Sequence, residues 1–143
     1  MNNIPTLKIL VIHGPNMNLL GLRKTRDRLG VTLDKLNRHL RKAASKKRIL
    51  LTIFQTNDES RAVHQLQINR NKIKGILLFP GPWQQSGHVI KDTLDILSIP
   101  YITVSLGEKV EILKGAMNLE GKDIYESAER ALVELAEAIK EKD

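Results

Sequence analysis

Short apolar runs alternate with segments of helical periodicity along this chain, and this alternation constrains the fold more than any other feature. Four runs rich in Leu, Ile and Val are bounded by turn residues, and they cover 7–12, 49–55, 75–80 and 99–106. Apolar residues fill each run instead of every second position, which is typical of strands with both faces covered. Longer amphipathic segments lie between and after these runs. The pattern predicts βαβ units with parallel strands and right-handed crossovers.

The amphipathic segments are predicted to be helices that cover both faces of the sheet. The first begins after Thr32, whose hydroxyl is suited to cap a helix N-terminus. The others are predicted over 58–69, 86–97 and 125–140. We therefore expect a flavodoxin-like three-layer α/β domain, with a parallel sheet of about five strands in the order 2-1-3-4-5. Residues 1–143 are expected to form this single domain.

The composition favours an ordinary globular protein and excludes several kinds of site. Apolar residues make up 41% of the 143 residues and charged residues 27%. The absence of cysteine excludes disulfides, thiolate metal ligands and a cysteine nucleophile. The first residues carry no secretion signal pattern, and no apolar run has the length of a membrane span. We expect a cytoplasmic protein with no membrane partner, no metal and no cofactor.

The formal net charge of +7 leaves an anionic partner open. Nucleic acid or a ribonucleoprotein would fit such a charge. The basic residues, however, are spread over helix faces and do not form one tract, which favours a solvated basic surface. No nucleic-acid-binding motif is present, so this partner stays an alternative.

In parallel α/β sheets, ligands bind beyond the carboxyl ends of the strands. The corresponding segments here are 13–30, 55–60, 79–88 and 103–112. The first of them opens with the turn HGPN, which lacks the GxxxxGK[ST] pattern of a phosphate-binding loop. These four segments are where site residues are expected.

The same segments resemble the motifs of the type II 3-dehydroquinate dehydratase family. ILVIHGPNMNLLGLR (9–23) is similar to the family's [NH]GPNLNLLG-R run, which is a specific match. IFQTNDES (53–60) resembles FQSNHEGE, and IPYITVSLG (99–107) resembles IPFIEVHLS. LLFPGPWQQSGHVIKDTL (77–94) lies where the family has a strand ending in INP, a YTHTS loop and a helix with Arg-Asp. The blocks follow the family's order over about four-fifths of the chain, which implies a common fold.

The resemblance implies an activity, a set of roles and an assembly. The family converts 3-dehydroquinate into 3-dehydroshikimate in the shikimate pathway without metal or Schiff base, usually as dodecamers built from trimers. A lid Tyr beside an Arg removes the proton next to the ketone, an Asn holds a water, and a His protonates the departing hydroxyl. Asn16 and Arg23 match the family's Asn and Arg. Asp92 matches a residue that reaches across subunits, so self-association is expected.

Several of the family's acid and base positions carry residues that cannot perform these roles. The lid reads KTRDRLG and offers Arg28 or Leu29 in place of the Tyr, and arginine stays protonated near neutral pH. The family's Glu and His on the fourth strand fall at Thr103 and Ser105. The Asn that precedes the third strand's Pro falls at Phe79. Losing a general acid or base typically lowers the rate 10²- to 10⁴-fold.

The remaining matches define candidate binding residues. They are Asn16, Arg23, Arg28, Trp83, Gln85, Ser105, Leu106 and Gly107. His88, one helical turn beyond Gln85, is a candidate substitute acid with Asp92 four residues on, although a surface role is favoured. Trp83 either covers the strand end as part of the packing or exposes a ring that stacks on a planar ligand or fills an interface pocket. The cationic lid is either a solvated loop or a clamp for a small anionic ligand.

Three functions remain open at this point. The first is a family member that is inactive in the dehydration and is kept as a structural, regulatory or assembly protein. The second is an enzyme of the dehydratase (lyase) class that acts on 3-dehydroquinate or another small anionic substrate. The third is a basic scaffold that associates with nucleic acid or a ribonucleoprotein. We favour the first, because both the acid and the base of the family are missing.

Overall fold

The sheet has five parallel strands in the order β2-β1-β3-β4-β5. The computed structural model describes residues 7–22, 30–121 and 123–142. The strands are β1 (Leu7–His13), β2 (Ile49–Gln55), β3 (Gly75–Phe79), β4 (Tyr101–Ser105) and β5 (Met117–Glu120). The predicted α/β class and strand order are confirmed.

Within the described residues, five α-helices and one 3-10 helix connect or flank the strands. The 3-10 helix is Met17–Leu22, and the α-helices are α1 (Leu33–Lys46), α2 (Glu59–Asn69), α3 (Trp83–Ser86), α4 (His88–Leu97) and α5 (Ile124–Lys142). Thr32 caps α1 as predicted, because its Oγ1 accepts a hydrogen bond from the N–H of Lys35 at 3.2 Å. No helix in the described part of the chain is long and apolar enough to cross a bilayer.

The helix predicted over 86–97 differs from the observed structure, which has two helices separated at Gly87. Gly87 has φ −83° and ψ 45°, outside the helical region. A Cβ at this position would lie 2.7 Å from the carbonyl oxygen of Trp83. The chain therefore turns tightly here, and α3 and α4 are not one continuous helix.

Each face of the sheet has its own apolar core. Ile9 and Val11 of β1 pack into the core covered by α1 and α5. Leu10 and Ile12 of the same strand pack into the core covered by α2 and α4. Because alternate strand residues point to opposite faces, both cores need apolar side chains from one strand. This explains why the strand sequences are apolar throughout.

Of the five described strands, β5 is the one that sequence patterning did not locate. Its sequence is MNLE, and only Leu119 of its four residues is buried. It is an edge strand that pairs with β4 from Ile102↔Met117 to Ser105↔Glu120. A polar tie supports this pairing, since Thr103 Oγ1 lies 2.7 Å from Asn118 Oδ1. A short edge strand needs one apolar face at most, so it leaves no apolar run in the sequence.

Candidate functional site

The carboxyl ends of β1 and β3 bring two turns into direct backbone contact. The N–H of Gly14 donates to the carbonyl of Phe79 at 2.9 Å. A Cβ on Gly14 would lie 2.8 Å from the carbonyl oxygens of both Phe79 and Pro80. Only glycine permits so close an approach. The glycine of the HGPN turn therefore holds the first and third strand-end loops together.

Asn16 belongs to a hydrogen-bond network that supports the same turn. Its φ of 67° is in the left-handed region, which asparagine adopts more readily than most residues. Its backbone N–H donates to Asn57 Oδ1 at 2.9 Å. Gln55 Nε2 lies 3.2 Å from the Gly14 carbonyl and 3.2 Å from Asn57 Oδ1. The polar residues retained after β1 and β2 thus fix the backbone of the turn, while the Asn16 side chain is exposed.

Beside these turns, the loops after β3 and β4 enclose a depression of ≈ 330 Å³. It is lined by Gly81, Pro82, Gln85, Leu106, Gly107 and Glu108. Three of the predicted binding residues, Gln85, Leu106 and Gly107, therefore meet at one concave surface. Its position beyond the strand ends is the one expected for a ligand site in a parallel α/β sheet.

Ser105, another predicted binding residue, is buried beneath the depression and bonded within its own turn. Its hydroxyl donates to the carbonyl of Glu108 at 2.5 Å and accepts from the N–H of Gly107 at 3.3 Å. The side chain of Glu108 accepts from the N–H of Leu106 at 2.9 Å. These bonds form a compact turn in which the Ser105 hydroxyl has a fixed structural partner.

Glu108 was not singled out from the sequence, yet it is the one ionisable residue among those that line the described depression. Its Oε2 is engaged with the turn, and its Oε1 is buried without a hydrogen-bond partner among the described residues. A carboxylate in this position disfavours a small anion at the same surface. No local pattern marks Glu108 in the sequence, because its importance depends on the turn that it closes.

Phe79 cannot take the role of the Asn that the resembling family has at this position. It is 1% exposed, and its ring stacks on His13 with centroids 4.7 Å apart and planes 29° apart. His13 Nε2 lies 2.8 Å from Asn37 Oδ1. Burial lowers the pKa of His13 to about 4, although the Asn37 hydrogen bond acts in the opposite direction. His13 is therefore neutral at pH 7 and packs as part of the interior.

Trp83 is 3% exposed and belongs to the core on the α2 and α4 side of the sheet. The alternative of an exposed ring that stacks on a ligand is therefore wrong. The physical reason is that α3 turns its first residue inward, over the Gly14 turn, where Trp83 Cε3 would lie 3.1 Å from a Cβ on Gly14. Trp83 supports the site from beneath and does not line the depression.

Gln84, which no sequence motif marks, is fully buried and holds the loop after β4. Its Oε1 accepts from the N–H groups of Glu111 at 3.0 Å and Leu113 at 2.8 Å, and its Nε2 donates to the Leu113 carbonyl at 2.9 Å. Its own carbonyl accepts from the N–H of Ile112 at 3.2 Å. One amide side chain thus completes the backbone hydrogen bonds of a segment that has no strand partner.

His88 does not line the depression, which agrees with the surface role favoured from the sequence and not with a substitute acid at this surface. It is the first residue of α4 and is exposed. The break at Gly87 removes the continuous helix that would have placed His88 one turn above Gln85. Asp92 is exposed further along α4, and it forms no ion pair with His88 in the described part of the chain. The subunit contact predicted for Asp92 stays a prediction.

The two cationic residues predicted for the lid, Arg23 and Arg28, lie outside the described residues. Across the described ranges, no cluster of three or more His, Asp or Glu side chains could hold a metal ion. The described part of the site is therefore a concave surface with an amide, backbone groups and a single carboxylate.

Comparison with known proteins assigns the family. The family model described as Dehydroquinase class II matches residues 7–112. The chain belongs to the class II dehydroquinase family. The resemblance seen in the strand-end motifs is thus confirmed, and β5 and α5 follow the matched region.

Individual relatives agree with the family match. The chain is 34% identical over 99 residues to a 3-dehydroquinate dehydratase of Endomicrobium trichonymphae, with 69% of each chain covered. It is 36% identical over 100 residues to one of Geotalea daltonii, which covers 70% of this chain and 69% of that protein. A type II dehydroquinase structure from Butyrivibrio crossotus has a TM-score of 0.78 and 21% identity, covering 94% of this chain and 97% of that one. This structural likeness supports the fold of the dehydroquinase family.

Proposed function

We propose that this dehydroquinase family member does not dehydrate 3-dehydroquinate and acts as a structural, regulatory or assembly protein. The observation that carries the proposal is the hydrogen bonding of Ser105, which stands at the position of the family's catalytic His. The Ser105 hydroxyl donates to the Glu108 carbonyl and accepts from the Gly107 N–H. Expelling a hydroxyl group from the substrate needs an acid with an available proton. Ser105 has neither a suitable pKa nor a free proton to donate.

The second family position on β4, two residues before Ser105, also lacks an acid. Thr103 stands at the position of the family's Glu. Its hydroxyl donates a hydrogen bond to Asn118 Oδ1 at 2.7 Å. Phe79 presents a buried ring where the family has an amide. With the lid Tyr also missing from the sequence, both proton-transfer roles lack a suitable group. Losing one such group typically lowers the rate 10²- to 10⁴-fold, so the loss of both removes most of the catalysis.

A second candidate function is an enzyme of the lyase class that acts on 3-dehydroquinate or another small anionic substrate. The depression of ≈ 330 Å³ favours it, because Gln85, Leu106 and Gly107 line a formed concave surface at the expected place. Glu108 weighs against it, because a carboxylate in the wall repels a substrate carboxylate. The two candidates differ in one directly measurable property, which is turnover.

Turnover of 3-dehydroquinate by the purified protein separates these candidates. We expect no formation of the conjugated enone product above the buffer rate, measured by ultraviolet absorbance, because acid and base are missing. The dehydratase of Geotalea daltonii serves as a positive control under the same conditions. Turnover at an enzyme-like rate would overturn the proposal in favour of the lyase. A Gln85→Ala variant distinguishes intrinsic turnover from a host contaminant, because only intrinsic turnover depends on a residue of the depression.

The assembly role predicts a change in oligomer size when Asp92 is altered. Asp92 is exposed on α4 and matches a residue that reaches across subunits in the family. We expect Asp92→Lys to shift the protein to smaller species in size-exclusion chromatography with light scattering, because charge reversal is unfavourable at a subunit contact. Glu137→Lys makes the same change at an exposed position of α5 and should leave the size unchanged. An unaltered mass for Asp92→Lys, or a monomeric wild-type protein, would contradict the role of Asp92.

A further inference from the structure

Most of the net charge of the chain lies on α1 and the turn that follows it. Between residues 33 and 48, seven basic residues accompany one acidic residue, Asp34. The basic residues are Lys35, Arg38, Arg41, Lys42, Lys46, Lys47 and Arg48. The whole chain has a formal net charge of +7, so the other residues together are close to neutral. Basic residues also occur on other helices, but helical spacing gathers the cations of α1 on its outer face.

Helix α1 is amphipathic, with one face buried in the core and the cations exposed on the opposite face. Leu36, Leu40, Ala43 and Ala44 pack into the core on this side of the sheet. Among the described residues, no carboxylate lies within ion-pair distance of Lys35, Arg38, Arg41 or Lys42. These side chains therefore present positive charge to the solvent without a direct ion pair, while the one carboxylate paired with a residue of α1 in the described part of the chain, Glu129, lies 3.3 Å from His39.

Two of these cations are held in place by neutral groups. Lys35 Nζ donates to the carbonyl of Gly30 at 2.9 Å. Arg41 Nη1 donates to the carbonyl of Leu51 at 3.3 Å. Both bonds orient the side chain without neutralising it, and each charged head keeps further donors for an anion. The basic face is thus partly pre-organised, which lowers the entropic penalty of binding.

Helix α1 forms a ridge between two concave surfaces that both carry cations. The surface toward α5 has ≈ 380 Å³ and is lined by Lys35, Arg38, His39, Lys42 and Tyr125. The surface toward β2 has ≈ 460 Å³, and its polar lining residues are Arg41, Ser45 and Arg48. A helix of 14 residues is about 21 Å long. Positive charge therefore extends along a rod-like surface and is not confined to a single point.

We propose that this basic face of α1 binds the sugar-phosphate backbone of duplex nucleic acid without reading the base sequence. Duplex DNA carries about one negative charge per 1.7 Å of its axis, which suits an extended row of cations. The one Asn or Gln of α1 is Asn37, and its Oδ1 already contacts His13. The helix therefore offers no free amide for the bidentate recognition of adenine, and the exposed side chains of its basic face are cations suited to phosphate contacts. A lipid surface fits less well, because the apolar face of α1 is buried in the core and cannot insert.

The test is fluorescence anisotropy of a dye-labelled random-sequence DNA duplex of about 25 base pairs, titrated with the full chain at several salt concentrations. The test variant is Lys35→Gln, Arg38→Gln, Lys42→Gln. Glutamine is a good helix former, so α1 should persist, and circular dichroism checks this. The control variant is Lys72→Gln, Lys109→Gln, Lys114→Gln, which removes the same charge from exposed positions elsewhere.

We expect the wild-type protein to bind the duplex at low salt and to bind a second sequence equally well. In the test variant, the slope of log K against log salt should become shallower by roughly 2 to 3, because each phosphate contact contributes about 0.9. The control variant should keep the wild-type slope. Absence of binding at low salt, an equal loss in the control variant, or binding to phosphatidylserine vesicles without binding to the duplex would each overturn the proposal.

Discussion

Replacing Gln84 by alanine is expected to lower the free energy of unfolding by about 3 kcal/mol or more. The Gln84 side chain is 0% exposed. It accepts from the N–H groups of Glu111 and Leu113 and donates to the Leu113 carbonyl. Alanine leaves these three backbone groups without their partner, and each buried unsatisfied group costs about 1 to 3 kcal/mol. Urea denaturation of the two proteins measures the difference.

The adjacent residue provides a matched control. Gln85→Ala removes the same atoms from an exposed position that lines the depression. Its effect on unfolding should be within about 0.5 kcal/mol. Hydrogen exchange adds a local readout, because the amides of Glu111 and Leu113 should lose protection in Gln84→Ala alone. Equal stability of the two variants would show that the loop does not depend on the Gln84 amide.

The second large effect is a dependence of stability on pH that originates from His13. Burial lowers the pKa of His13 from 6.5 to about 4 in the folded protein. Between these two values, the unfolded chain binds a proton that the native protein does not bind. The stabilising contribution is therefore present above pH 6.5 and is lost as the pH falls toward 4. The loss amounts to about 3 kcal/mol over this range.

An asparagine at position 13 isolates this contribution. Asparagine does not titrate, and the resemblance allows it at this place in the HGPN turn. We expect His13→Asn to lose less stability than the wild-type protein when the pH falls from 6.5 to 4, in urea denaturation at each pH. His88→Asn alters an exposed histidine and should keep the wild-type pH profile. If His13→Asn and the wild-type protein have parallel profiles, His13 does not titrate as its burial requires.

The parts of the fold that were predicted from the sequence are those with a periodic signal. The apolar runs located β1 to β4, and Thr32 marked the start of α1. Strand β5 was not located, because an edge strand with one buried residue, Leu119, has no such pattern. The break at Gly87 was missed although glycine weakens a helix, because the tight approach of Gly87 to the Trp83 carbonyl is visible only in the structure.

The candidate site shows the same division. Gln85, Leu106 and Gly107 were identified from the strand-end motifs, and the structure brings them to one depression. Gln84 was missed because its partners are backbone groups 27 and 29 residues away, whereas Glu108 was missed because its carboxylate bonds a nearby N–H in an irregular turn that no motif marks. A polar side chain whose partners are distant in sequence leaves no recognisable spacing.

The ring stack of Phe79 on His13 makes this chain hard to return to the family's polar arrangement by single steps. Phe79 is 1% exposed, and replacing a buried aromatic by a small residue typically costs about 3 to 5 kcal/mol. That is a large share of the about 5 to 15 kcal/mol that stabilises a typical domain. A histidine at Ser105 would, in addition, break the turn closed by Glu108. The residues that differ from those of the family are thus held in place by packing and hydrogen bonds, so each single reversal is expected to weaken the fold.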